Sequence, residues 1–191
     1  MKRSSRRRVV AAMLGAPAVA WRVAPAAANP AGWIALRAGA IALIRHAYAP
    51  GVGDPAAMRL DDCATQRNLD ETGRAQARRI GMAFAAEGVA VGAVLSSRWC
   101  RTLETAELAF PARVRAHAAF DSFFSDPARR EPRTLEAQRV LAEWRGPGAL
   151  VVVTHQVNVT ALTGLVPRSG EIVVVNAPSA TGVTVVARLE V

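Results

Sequence analysis

Only three histidines occur in the chain, and two of them, His46 and His155, follow short apolar runs of the kind that form buried strands. His46 is preceded by Arg45. A neutral imidazole fixed at a strand end can attack phosphorus through one ring nitrogen while an acceptor holds the other. Guanidinium groups beside it can neutralise the phosphoryl oxygens, because arginine offers planar paired donors suited to them. A second such group is available in Arg101, which stands 55 residues after His46 and 54 before His155. That separation leaves room for about one strand-helix unit and a loop on each side.

These residues need elements to place them. Residues 40–44 and 150–154 are continuous apolar runs, as in strands covered on both faces. Residues 91–96 read as another strand, 113–116 as a short one, and 171–175 and 182–189 as two more. Helices are expected from Asp70 or Thr72 to the Gly88 stop, over 102–109, and over 135–144 before Gly146-Pro147-Gly148. Residues 30–39 read as a lead-in. The stretch 49–67 holds Pro50, Gly51, Gly53 and Pro55, so it reads as a long functional loop. Alternating strands and helices predict an α/β domain, a three-layer α/β/α sandwich with a mainly parallel central sheet. In such sheets ligands bind beyond the carboxyl ends of the strands, where Arg45-His46, the 96–101 segment and His155 all fall.

The chain resembles the histidine phosphatase superfamily, whose relatives include the cofactor-dependent phosphoglycerate mutases. Four blocks carry the resemblance: Leu43-Ile44-Arg45-His46-Ala47, the stretch from Asn68 to Ala77, the stretch from Leu95 to Ala106, and Val152-Val153-Thr154-His155. Together they span roughly residues 40–165. The resemblance implies a phosphoglycerate mutase-like fold and a phosphohistidine on His46. Arg45 and Arg101 would hold the phosphoryl oxygens, and His155 would donate to the same oxygens. The proton donor would follow the third block, with Asp121 the nearest match and Asp126 the fallback. Three residues depart from common family patterns: Ala47 for Gly, Ala49 for Thr and Gln156 for Gly. Arg98 is expected as a solvated loop arginine, and His117, outside every block, as structural. Asp54, Arg59, Gln66 and Arg67 either shape the substrate mouth or hold their loop together. Asn158 is open between capping and the pocket.

The expected activity is histidine acid phosphatase-type hydrolysis of a small phosphomonoester or a phosphorylated side chain, with no cofactor and no metal. A non-catalytic periplasmic protein that binds phosphate esters in the same pocket is the alternative, and phosphomutase transfer a further one. Other chemistries lack their residues. There is no Gly-x-Ser-x-Gly turn and no Walker-type phosphate loop, and neither cysteine opens a Cys-x5-Arg signature. Zinc-ligand spacing is absent as well.

The chain of 191 residues carries a formal net charge of +9, but six of those positive charges lie in residues 1–28, which hold no acid. The rest is unremarkable for a soluble domain, so neither nucleic acid nor stable membrane insertion is expected of it. Residues 1–28 read instead as an export signal. Lys2 to Arg8 form its cationic start, an apolar run follows from Val9 to Trp21, and Ala26-Ala27-Ala28 offers a cleavage site. Ser5-Arg6-Arg7-Arg8 resembles the twin-arginine signature. Residues 29–191 would then be a single domain in the periplasm or outside the cell. There Cys63 and Cys100 could form one disulfide or remain two buried thiols.

Overall fold

The computed structural model describes residues 29–179 and 182–191. The expected export signal, residues 1–28, lies outside the described residues. One six-stranded sheet organises the rest, in the order β3-β2-β4-β1-β5-β6. The strands are β1 (Ile41–Arg45), β2 (Val91–Ser96), β3 (Val114–Ala116), β4 (Ala149–Thr154), β5 (Ile172–Val175) and β6 (Val185–Leu189). The first four in chain order run parallel to one another, and β5 is antiparallel to both β1 and β6. The helices are α1 (Pro30–Arg37), α2 (Glu71–Ala86), α3 (Cys100–Ala109), α4 (Arg130–Ala142) and α5 (Gln156–Thr163).

Alternation along the central strands separates the core into two layers. Ala42, Ile44, Val151 and Val153 face Trp33 and Leu36 of α1, Ile80 and Phe84 of α2, and Ala106 of α3. Ile41, Leu43, Leu150 and Val152 face Leu141 of α4 and Val159 of α5. The result is the expected three-layer α/β/α sandwich with a mainly parallel sheet. Burial of side chains as large as Phe84 and Ile80 contributes about 1.5–3 kcal/mol each. Phe84 also meets Trp33 and Phe110 edge to face, at centroid separations of 5.5 and 5.0 Å.

Three elements differ from the sequence expectation. The lead-in is helix α1, opened by Pro30 in its first turn and closed over Arg37, with only Trp33 and Leu36 as large buried anchors. Helix α4 begins at Arg130, five residues earlier than its apolar periodicity starts, because Pro132 sits in the first turn where no backbone donor is needed. The last strand starts at Val185 rather than at Gly182.

Helix α2 is anchored as expected: the Asp70 carboxylate accepts from the Gly73 amide at 2.8 Å. Gly73 also permits close approach. A Cβ there would lie 1.9 Å from the Tyr48 carbonyl oxygen, so the absence of a side chain lets α2 pack directly beneath the segment that follows His46.

Candidate active site

Register brings the two histidines together. Arg45 pairs with Thr154 across the parallel β1–β4 ladder, and the His46 amide extends it by donating to the Thr154 carbonyl at 2.9 Å. His46 and His155 therefore leave neighbouring strands at the same edge, with ring centroids 5.6 Å apart. Strand β2 flanks β4 on its other side and continues the row, since the Ser97 amide donates to the Val153 carbonyl at 3.0 Å.

His46 is buried, and its Nδ1 lies 2.7 Å from the Ala47 carbonyl oxygen. A carbonyl only accepts, so Nδ1 carries the proton and Nε2 the lone pair. Burial first, and then the Arg101 charge, push the His46 pKa down to about 3, which keeps the ring neutral at ordinary pH. The segment after His46 is pinned to α3, because the Ala47 amide donates to Thr105 Oγ1 at 3.0 Å. Thr105 in turn donates to the Arg101 carbonyl at 2.6 Å.

Arg101 sits in the first turn of α3 and is only 3% exposed. Its Nη1 and Nη2 donate to the two carboxylate oxygens of Asp54 at 2.7 and 3.0 Å. Asp54 also accepts from the Arg67 amide at 3.1 Å and from Trp99 Nε1 at 3.0 Å. Burial opposes ionisation of Asp54, but these donors, led by Arg101, outweigh it and hold its pKa below the usual carboxylate value. Arg45 uses Nη1 on the Pro167 carbonyl at 2.9 Å. Its pKa is lowered by burial and by the neighbouring Arg101 charge.

Together with Arg67, these groups line a cavity of about 140 Å³ that also includes His155, Ser122, Phe124 and Gln156. Among the described residues, the Nε donors of both Arg45 and Arg101 are buried without a hydrogen-bond partner. Buried donors are rarely left unpaired, and two guanidinium donors together call for an anion with several acceptors. A phosphoryl group supplies them.

His155 is also buried and lines the cavity, but its ring is engaged on both sides. Nε2 lies 2.8 Å from Ser97 Oγ and Nδ1 lies 3.4 Å from Arg101 Nη2. Its pKa is lowered well below the ordinary value, by burial first and then by Arg101.

Asp121, the expected proton donor, does not line the cavity. Its side chain is buried against Arg98, whose Nε and Nη2 donate to Oδ2 at 2.8 and 2.5 Å, while the Arg98 amide donates to Oδ1 at 3.0 Å. A carboxylate filled by these donors has no free oxygen to carry a proton to a leaving group, so that expectation is corrected on geometry. Arg98 is the solvated loop arginine expected, its side chain 45% exposed, and it also pairs with Asp121. Asp126, the fallback, pairs with Arg129 on the surface. His117 is structural, accepting from the Ala119 amide at 3.2 Å. Asn158 neither caps α5 nor enters the pocket, and its Nδ2 donates to the Asp121 carbonyl at 3.0 Å.

The loop 49–67 is stitched to this framework. Arg67 donates to the carbonyls of Gly53 at 2.8 Å and Ala49 at 2.6 Å. Gln66 accepts from the Cys100 amide at 2.9 Å and donates to the Arg59 and Leu60 carbonyls. Cys63 and Cys100 form a disulfide, so the loop is covalently tied to the residue just before Arg101. The sequence left that pairing open. It also gave no sign that Asp54 would occupy Arg101 or that Ser97 would reach His155. Both contacts join residues distant in sequence, and no local spacing encodes them.

Residues 41–122 match the family model described as histidine phosphatase superfamily (branch 1). A search of curated proteins finds no match. Among solved structures, the protein histidine phosphatase SixA complexed with tungstate superposes with a TM-score of 0.56 at 16% identity, over 79% of this chain and 96% of that one. A protein described as a candidate alpha-ribazole-5'-P phosphatase from Escherichia coli gives 0.58 at 17% identity, over 80% of this chain and 96% of that one. Phosphoserine phosphatase from Entamoeba histolytica, in complex with 3-phosphoglyceric acid, gives 0.56 at 11% identity, over 80% and 98%. Identities this low establish shared fold. The family match runs from β1 through Ser122, and the fold shared with these structures continues beyond it, so the chain is similar to the histidine phosphatase superfamily over that segment and shares its fold.

Proposed function

We propose that the protein hydrolyses phosphomonoesters through a phosphohistidine formed on His46. The observation that carries this reading is the fixed tautomer: Nδ1 is committed to the Ala47 carbonyl, so Nε2 is the free nucleophilic nitrogen. Arg45 and Arg101, whose buried Nε donors lack a partner among the described residues, line the cavity beside it. His46 Nε2 bonds to phosphorus as the ester P–O bond breaks, and the leaving oxygen takes a proton from solvent at the open mouth of the cavity. A water oxygen then attacks the same phosphorus, the P–N bond breaks, and inorganic phosphate departs while the water's second proton goes to solvent. Arg45 and Arg101 neutralise the equatorial oxygens in both steps, where transition-state charge stabilisation has most effect. His155 acts mainly by positioning, since its contacts to Ser97 and Arg101 keep the latter's guanidinium in place.

The test is direct. Wild-type protein should release phosphate, be inhibited by vanadate and yield an acid-labile, base-stable phosphoenzyme; His46→Ala should do none of these. Robust turnover by His46→Ala overturns the reading. Phosphate-ester binding without turnover across a broad panel would instead support the binding-protein alternative, which the occupation of Arg101 by Asp54 favours.

Action in the periplasm or outside the cell belongs to the same proposal. The signal-like residues 1–28 and a disulfide beside the site both suit an oxidising compartment. Detection of a mature chain beginning near Asn29 in a periplasmic fraction tests it, and a cytoplasmic full-length chain refutes it.

A further inference from the structure

The charges that line the cavity do not balance. Among the described residues, three lining guanidiniums, from Arg45, Arg67 and Arg101, face one carboxylate, that of Asp54. Both histidines are held neutral by burial and by Arg101. The surplus is two positive charges, the charge that a phosphomonoester dianion brings. Once one phosphoryl group is seated, the described residues of the lining hold no spare cation for a second anionic group. Arg67 is committed to the Gly53 and Ala49 carbonyls, and Arg98, three residues from Arg101, is committed to Asp121.

The outer lining is of a different kind. Val52 is 89% exposed and Phe124 57% exposed, though both belong to the cavity wall. A Cβ at Gly53 would lie 3.6 Å from Phe124 Cε1, so the loop following His46 and the segment following Asp121 meet there. Val157 adds apolar surface, while Ser122 and Gln156 are neutral. Exposed large apolar side chains beside a buried charged pocket form a ready contact for an organic group that has no charge of its own. A leaving group of low basicity also suits this cavity, because its one carboxylate, Asp54, is held ionised by Arg101.

Resting on the hydrolase reading above, we infer that the substrate is a monophosphate whose organic part is uncharged and apolar, aryl in the best case, and seated between Val52 and Phe124. A second phosphate or a carboxylate on the organic part would be desolvated there without a partner, which is how a site rejects a wrong ligand.

Binding separates this inference from the hydrolase reading. Protein carrying His46→Ala, or His46→Asn where the alanine variant does not fold, keeps every lining charge and is titrated calorimetrically. The probes are phenyl phosphate, ethyl phosphate and 3-phosphoglycerate. Phenyl phosphate should bind tightest, with 3-phosphoglycerate weaker by about tenfold or more. Adding Phe124→Ala should cut the preference for phenyl over ethyl phosphate by about tenfold, the scale of one buried aromatic contact. Equal or tighter binding of 3-phosphoglycerate overturns the inference, as does a phenyl preference untouched by Phe124→Ala. If the preference holds while wild-type protein releases phosphate from none of the three, the hydrolase reading fails and the site assignment stands.

Discussion

Replacing Asp54 with asparagine tests how the cavity holds its central cation. The Asp54 carboxylate accepts from both outer nitrogens of Arg101, from the Arg67 amide and from the Trp99 indole. The Arg101 side chain is 4% exposed and that of Asp54 17%, so the pair is largely shielded from water. Removing one member of a buried pair costs about 3–5 kcal/mol. Asparagine keeps one acceptor oxygen and the site is open at its mouth, which points below that range, to about 2–3 kcal/mol at pH 7. The native-state pKa of Asp54 is depressed, so its contribution is fully present above the unfolded value near 4. It is lost as pH falls through the depressed native value. The stability gap between wild type and Asp54→Asn should therefore be widest at pH 5–7 and close progressively in stronger acid. Urea unfolding of both proteins at pH 7, 5 and 3 measures it. A gap under about 0.5 kcal/mol at pH 7, the size of an ordinary surface substitution, would refute the assignment, as would a gap that does not shrink on acidification.

Two further outcomes follow from the same geometry. With the His46 pKa pushed down to about 3, the kcat/KM profile should show no acid limb near 6.5 from this ring. Because that native value is depressed, the stability it contributes is full above about 6.5 and declines as pH falls toward 3; a histidine NMR titration at 6–7 that disappears in His46→Asn would contradict the buried neutral ring. The disulfide closes a loop between residues 37 apart, for which the chain-entropy estimate is about 3–4 kcal/mol. The double variant Cys63→Ser, Cys100→Ser should lose stability on that scale and lose kcat/KM as well, since Arg101 follows Cys100 directly; free thiols titrating in the unreduced wild-type protein would contradict the link.

Strand-end chemistry was the legible part of this chain. The runs ending at Arg45 and Thr154 are continuous in β-branched and aliphatic residues, and a parallel sheet aligns their ends, so His46 and His155 could be placed together before any coordinates. Helix α1 escaped because its eight residues carry only two large buried anchors, too few for a periodic signal. The antiparallel insertion of β5 beside β1 leaves no local mark, because a strand buried on both faces reads the same in either direction. Asp121 was misread for a related reason. Its sequence context offered an acid in the right region, whereas its role depends on Arg98, 23 residues away, curling back to fill both oxygens. Asp54 had been recognised as a loop residue near the mouth, but the sequence cannot distinguish a carboxylate that shapes an opening from one that clamps Arg101. Such pairings are set by tertiary folding and have no period or spacing to betray them.

The ladder that joins His46 to Thr154 has a consequence for how the two halves of the pocket persist. Backbone groups in the central strands of a sheet exchange their hydrogens only when the whole domain unfolds, whereas exposed loops open at far lower free-energy cost. His46, His155 and Ser97 hang directly from that central ladder, while Val52 and Phe124 belong to exposed segments outside it. The phosphoryl-holding half thus inherits the lifetime of the fold itself, and the half that meets the organic group does not. Residues 51–52 and 122–126 form a replaceable rim on a permanent reaction floor, so changes in what the protein recognises can accumulate there without touching the groups that handle phosphorus.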